Sequence, residues 1–239
     1  MNFLAGVVAG ARKTLSYTIS ALLHFDGTNG STVFTDTAGN TWTANGAASL
    51  STAQSKFGGS AGSLNGTNAY LTTPHSSAFN LSTGDFTIEA FIRINALSTS
   101  NMTIFEKDGV AGVSFPQYEM RIDNTGRLTF SLGTGNGTGA NQNMGGGSGT
   151  NPMSTGAWHH VAITRQGTTV RAFVDGNLDW TVLSTNSVID GGKPAFIGYQ
   201  NGQPSSSFFN GYIDEFRLIK GAALYTANFT PPAAPFADP

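Results

Sequence analysis

The chain has 239 residues, a formal charge of −2 and no cysteine, so thiol redox chemistry, thiolate metal sites and a disulfide framework are excluded. Charged residues make up 11%, against about 25% in an average soluble domain, and no basic run is present, which argues against nucleic-acid binding. Hydrophobic residues at 39%, with 17 Phe, suffice for a core, and 31 Gly supply turns, as in a β-rich domain with a polar, weakly charged surface.

Residues 1–19 stand apart as a short apolar extension. Phe3 to Gly10 is apolar, and Arg12 and Lys13 follow it. A secretion signal carries its positive charges before the apolar run, and a membrane span needs about 20 apolar residues. Phe3 with Val7, and Leu4 with Val8, are spaced to share one face of a short helix. Such a helix is too short to stand alone in water. The segment is therefore expected to order by docking on a partner, with Phe3, Leu4, Val7 and Val8 buried and Arg12 and Lys13 paired with the partner's acids.

Residues 20–26 read as the first strand, followed by the turn signals Asp26-Gly27, Asn29-Gly30 and Gly39-Asn40. Residues 57–72 give two short strands joined through Asn65-Gly66. The clearest long strand is 85–94, with Phe86, Ile88, Ala90, Ile92 and Ile94 on one face and Thr87, Glu89, Phe91 and Arg93 on the other. Strands at 102–107, 118–123 and 127–132 follow. Residues 133–151 are glycine-rich and read as a long surface loop. Residues 158–182 form a meander turned by Gln166-Gly167 and Asp175-Gly176, the latter a strong hairpin signal. Strands at 194–199 and 211–219 close the series. Residues 231–239 carry Pro231, Pro232 and Pro235 and read as an extended tail. The short segments 2–10 and 221–226 are the only places where the sequence admits a helix.

Four stretches together resemble the laminin-G-like and concanavalin-A-like jelly-roll family. They are Leu23-His24-Phe25-Asp26-Gly27, Asp85 to Arg93, Trp158 to Gly176, and Gly211-Tyr212-Ile213-Asp214-Glu215-Phe216-Arg217. The resemblance covers roughly residues 20–230 and implies an all-β fold, a two-sheet antiparallel jelly-roll sandwich. It does not imply one activity, because the fold hosts lectins, glycosidases and structural modules. Similar jelly rolls hold one structural Ca²⁺ between the loop after the first strand and the last long strand. Asp26 and Asp214 match those places, with carbonyls of 27–32 as further ligands. Asp214 also calls for a partner on its own account, since it shares a strand with Tyr212, Phe216 and Leu218 and a buried lone carboxylate is costly. Hydrogen bonds from backbone donors or an Arg would serve equally.

Catalytic signals are weak. The E-x-D-x-E run of the family's glycan-cleaving members does not occur. Asp85 with Glu89, and Asp214 with Glu215, are the nearest approaches to paired acids. Asp85 reads as turn chemistry, Glu89 as a solvated partner of Arg93, and adjacent Asp214 and Glu215 point to opposite faces. The 4 His permit a Ser-His-Asp arrangement, but no Gly-x-Ser-x-Gly elbow joins a strand to a helix. His159 and His160 are neighbours and cannot chelate one metal together; His160 reads as a satisfied, partly buried side chain. The expectation is a non-enzymatic surface protein of a phage virion (fibre, tail-tip or capsid decoration) that binds glycans or a host surface. Residues 1–20 would attach it in many copies to other virion proteins. A bacterial cell surface, a glycan-depolymerising enzyme and a ligand-free structural role are the alternatives.

Overall fold

The computed structural model describes residues 17–109, 116–133, 147–185, 187–188, 190–201 and 207–239. The expected docking side chains Phe3, Leu4, Val7, Val8, Arg12 and Lys13 lie outside the described residues. The strands in chain order are β1 (Thr18–Leu23), β2 (Val33–Phe34), β3 (Trp42–Asn45), β4 (Ser49–Ser51), β5 (Ala61–Asn65), β6 (Tyr70–Thr73), β7 (Phe86–Ile94) and β8 (Met102–Lys107). They continue with β9 (Tyr118–Ile122), β10 (Leu128–Leu132), β11 (Gly147–Ser148), β12 (Trp158–Gln166), β13 (Thr169–Val174), β14 (Asn177–Leu183), β15 (Ala195–Ile197) and β16 (Asn210–Lys220). The helical element among the described residues is one 3₁₀ turn at Ser77–Phe79, and residues 221–226 are irregular.

The strands form two antiparallel sheets. The first has the order β14-β13-β12-β7-β16-β5-β4, with β1 also paired to β16. The second has the order β11-β10-β9-β8-β15-β6-β3-β2. One apolar core lies between them. Phe86, Ile88, Ala90, Ile92 and Ile94 of β7 fill it from one side, as their period-two spacing predicts. Leu71, Ile197, Met120, Ile122, Leu128 and Phe130 fill it from the other. The meander is formed by β12, β13 and β14.

Register slips at four places among the described strands, including Ile19/Ala21 in the β1–β16 pair and Ala172/Phe173 in the β13–β14 pair. The β16–β7 register slips between Asp214 and Arg217, where Glu215 has φ 51°. One extra residue moves every later side chain to the opposite face. Asp214 therefore does not share a face with Phe216 and Leu218: those two join the core, and Asp214 points away from it. Another slip separates Thr103 from Phe105 in the β8–β9 pair.

The outer face of the first sheet is covered by the closing segment. Thr87 Oγ1 donates to the Ala222 carbonyl, Thr164 Oγ1 to the Tyr225 carbonyl, and Phe229 N–H to the Gly176 carbonyl. The Tyr225 and Phe229 rings stack with centroids 3.6 Å apart. Beyond the prolines, Phe236 packs with Leu22 and Phe91 and lies over the Arg217 guanidinium at 3.9 Å. The extended tail is thus part of the packed domain. Beneath this cover Glu89 is fully buried; it is not a solvated partner of Arg93. It accepts from Arg217 Nε (2.9 Å) and Nη2, from Tyr225 Oη (2.8 Å), and pairs with His160 Nε2 (3.1 Å). Burial works to raise its pKa, but the His160 hydrogen bond and the Arg217 charge bring it below the ordinary value.

Candidate functional site on the outer face of the second sheet

Cross-strand register builds a polar row across the second sheet. Thr43 pairs with Thr72, Thr72 with Phe196, Phe196 with Glu106, Glu106 with Glu119, and Glu119 with Ser131. Directly paired residues project to the same face, and the flanking residues Leu71, Ile197 and Met120 are in the core. The row therefore lies on the outer face. Glu106 and Glu119 sit on adjacent strands with Cβ atoms about 4.5–5.5 Å apart, the spacing of a direct antiparallel pair.

Both acids are fully buried. Glu119 Oε1 accepts from Thr103 Oγ1 (2.7 Å), and Oε2 accepts from Arg121 Nη1 (2.9 Å). Arg121 is itself held by Thr129 Oγ1. Burial still leaves the Glu119 pKa above its usual value. Glu106 has less support. Its Oε2 accepts from the Asn201 backbone N–H at 3.0 Å, and its Oε1 has no partner. Burial, then the Glu119 and Asp108 charges, push the Glu106 carboxyl up to about 10. At neutral pH Glu106 holds a proton, so its hydroxyl stands in register with the Glu119 carboxyl that Thr103 and Arg121 hold. Asn201 Nδ2 also donates to Asp108 Oδ2 (2.8 Å), tying that end of the row together.

Aromatic rings adjoin the acids. Phe196 pairs with Glu106 and is ringed by Tyr70 and Tyr199 at centroid distances of 6.1 and 5.9 Å. Tyr199 stacks on Phe208 at 4.6 Å, and Tyr70 lies 4.8 Å from Tyr199. Tyr70, Tyr199 and Phe208 are half-buried, so the cluster presents ring surface outward. Flat apolar rings beside hydrogen-bonding donors and acceptors match the two surfaces of a sugar ring: its C–H face and its hydroxyl rim.

The sequence-predicted pair Asp26 and Asp214 is also brought together. Asp214 Oδ2 accepts from the backbone N–H of Lys56 (2.7 Å) and Phe57 (3.1 Å), while its Oδ1 is buried without a partner. The Asp26 carboxylate lies over Gly58, where an added Cβ would come within 1.7 Å of Oδ1; no residue with a side chain fits there. Burial, then the nearby Glu215 and Asp26 charges opposed by those N–H groups, raise Asp214 to about 7. The orphaned Asp214 oxygen and the nearby Asp26 carboxylate are hard oxygen donors that would suit a hard cation if backbone carbonyls completed the shell. Among the described residues no group of three or more His, Asp or Glu converges on one point, so those two side chains would be the protein's only charged ligands.

Sequence reasoning missed the Glu106–Glu119 row and the ring cluster. The polar alternation of Glu106 in β8 and of Glu119 and Arg121 in β9, with Phe196, Tyr199 and Phe208 close together, was the available signal. The register that joins them was not.

Two sheets of this topology enclosing one core define a jelly-roll sandwich. A family model described as concanavalin A-like lectin/glucanases superfamily matches residues 65–224, more than half of the chain, and the chain belongs to that superfamily. Among solved structures, the binding domain of Paraclostridial Mosquitocidal Protein 1 superposes with a TM-score of 0.64 at 14% identity, covering 87% of this chain and 49% of that one. Domain 4 of AbnA, a GH43 extracellular arabinanase from Geobacillus stearothermophilus solved with arabinotriose, gives 0.59 at 20% identity, covering 86% and 93%. The botulinum neurotoxin serotype G binding domain gives 0.58 at 14%, covering 89% and 49%. These likenesses concern the fold, and the chain spans about half the length of the toxin domains. No curated protein matches the chain in sequence.

Proposed function

We propose that this protein is a glycan-binding jelly-roll module displayed on a larger assembly, with the outer face of the second sheet as its sugar surface. One observation carries this reading: Glu106, buried and with an unpartnered oxygen, stands in register with Glu119 and beside the Tyr70, Phe196, Tyr199 and Phe208 rings. Maintaining such an acid costs stability, and sites of that kind cluster where a ligand is met. The arabinotriose complex of the arabinanase domain, whose length this chain nearly spans, supports sugar as the ligand class. Binding, not glycosidic cleavage, is the main role. The assembly we favour is a phage virion, attached through residues 1–20, whose apolar Phe3, Leu4, Val7 and Val8 precede the first strand. One Ca²⁺ at Asp26 and Asp214 would brace the segment 56–58. A glycan array tests the central point. Binding to at least one neutral oligosaccharide, lost in Tyr70→Ala, is expected; an array blank at millimolar sensitivity leaves only a structural role.

A second reading has a specific observation behind it. Glycoside cleavage needs two carboxyls facing one bond, and Glu106 with Glu119 are two carboxyls in direct cross-strand register. Their full burial weighs against turnover. Release of reducing ends from polysaccharide, abolished in Glu119→Gln, would establish the enzymatic reading.

A further inference from the structure

At one end of the sandwich, three side chains fall into a row. Alternation along β12 puts His159 on the same side as Val161 and Ile163, where the sheets open at the end of the core. His159 Nδ1 lies 2.7 Å from Asp175 Oδ2, and His159 Nε2 lies 3.1 Å from Ser154 Oγ. Asp175 is fixed by its turn: its Oδ1 accepts from the His160 backbone N–H at 2.9 Å. The row borders a cleft of about 330 Å³ lined by His159 and Asp175, by the apolar Pro152, Met153 and Val174, and by the polar Asn151, Asn177 and Asp179.

We propose that Ser154, His159 and Asp175 form a hydrolytic centre for small acyl esters of polyhydroxylated alcohols. The arrangement is the nucleophile, base and orienting acid that activates a hydroxyl, here assembled without a strand–elbow–helix motif. The Asp175 hydrogen bond leaves the proton on Nδ1 and the lone pair of Nε2 facing Ser154. Ser154 Oγ attacks the ester carbonyl carbon and its proton passes to Nε2. The bond to the alcohol oxygen breaks, and the alcohol leaves with that proton. Water then attacks the acyl–Ser154 ester, giving one proton to Nε2, which returns it to Ser154 as the acid departs. The sum is ester plus water to acid plus alcohol, with no redox change. The Ser154 carbonyl oxygen, 3.2 Å from Nε2, stabilises the imidazolium while it carries the proton. Asn151 and Asn177 donate one amide N–H each, to Asp179 Oδ1 and to the Asp175 carbonyl respectively, which leaves a second N–H on each for a developing oxyanion. The mixed lining fits an acyl group on its apolar side and a hydroxyl-rich alcohol on its polar side. This goes beyond glycan binding and adds a catalytic role to a chain whose sequence reads as non-enzymatic.

The test uses p-nitrophenyl acetate and a fluorophosphonate probe on the full chain. The wild type should turn the ester over, and the probe should label the Ser154 peptide in a mass spectrum. Ser154→Ala and His159→Ala, each checked for an unchanged melting curve, should lose at least about 100-fold in kcat/KM. Asp175 is a positioning residue: Asp175→Asn should lower kcat and move the acid limb of the pH profile to lower pH, since Asp175 raises the His159 pKa. Tyr70→Ala should keep esterase activity whatever it does to glycan binding, which separates this proposal from the sugar surface. A folded wild type with neither turnover nor labelling at Ser154, or a Ser154→Ala variant with full turnover, overturns it.

Discussion

The outer faces of the two sheets each bury a glutamate in mid-strand, and they treat it in opposite ways. On the first sheet Glu89 receives four donor atoms from Arg217, Tyr225 and His160 under the closing segment, and its pKa falls. On the second sheet Glu106 receives one backbone N–H, keeps one oxygen unpartnered and is pushed up to about 10. A satisfied buried acid fastens structure together, whereas an unsatisfied one is a standing cost that a ligand can relieve. That difference separates the two glutamates, and the proposed sugar surface is the one built around the unsatisfied Glu106.

The largest effect should come from breaking the satisfied face. Glu89→Ala leaves the Arg217 guanidinium buried beside Tyr225 and His160 without its counter-charge, and should cost about 3–5 kcal/mol in chemical denaturation. Its pH dependence has a definite sign. Because Glu89 titrates lower in the folded state, its contribution is present above the ordinary glutamate pKa and is lost as pH falls through the folded value. Acid should therefore erase much of the gap between wild type and variant.

Next in size is the seal itself. Phe236→Ala removes the ring over Arg217 and its contact with Phe91. A loss of about 3 kcal/mol is expected, at the low end for a buried Phe because the site lies at the edge of the domain. If melting is unchanged, the closing residues are not part of the packed domain.

The unsatisfied face should respond in the other direction. Glu106→Gln keeps the shape and removes the need to hold a proton, so it should stabilise the protein by about 1–3 kcal/mol near pH 8. A raised folded pKa gives stability that is full below the unfolded value and is lost as pH rises toward about 10. The variant's advantage should thus grow with pH and vanish near pH 4. A destabilised variant at pH 8 would contradict the contrast between the two glutamates.

For the metal pair, chelation with EDTA should lower the melting temperature through Asp26 and Asp214, and calcium should restore it. The contribution is about 2.7 kcal/mol if free calcium stands at 100 times its Kd. No change on chelation removes the metal from the account.

Much of the fold is legible in the sequence because β7, β12 and β13 alternate without interruption and the meander's turns carry Gly167 and Gly176. The bulges are not legible: nothing local marks Glu215 as the residue that takes positive φ, and that slip decides which way Asp214 points. The Glu106–Glu119 pair is invisible for a related reason. The two residues are 13 apart and meet only through β8–β9 register, which depends on a bulge after Thr103. The prolines of the closing segment agree with its lack of regular pairing. Its docking follows from Leu22 and Phe91, two large apolar side chains on a face that alternation assigns to the outside.

The central claim is that the second sheet's outer face binds sugar while the first sheet's outer face only stabilises. Isothermal titration with a neutral oligosaccharide identified on the array tests it most directly, using wild type, Tyr70→Ala and Phe236→Ala side by side. The account predicts binding by wild type and by folded Phe236→Ala with equal affinity, and at least about a tenfold loss, or about 1.4 kcal/mol, in Tyr70→Ala. Equal affinity in all three proteins would place the sugar elsewhere and contradict it.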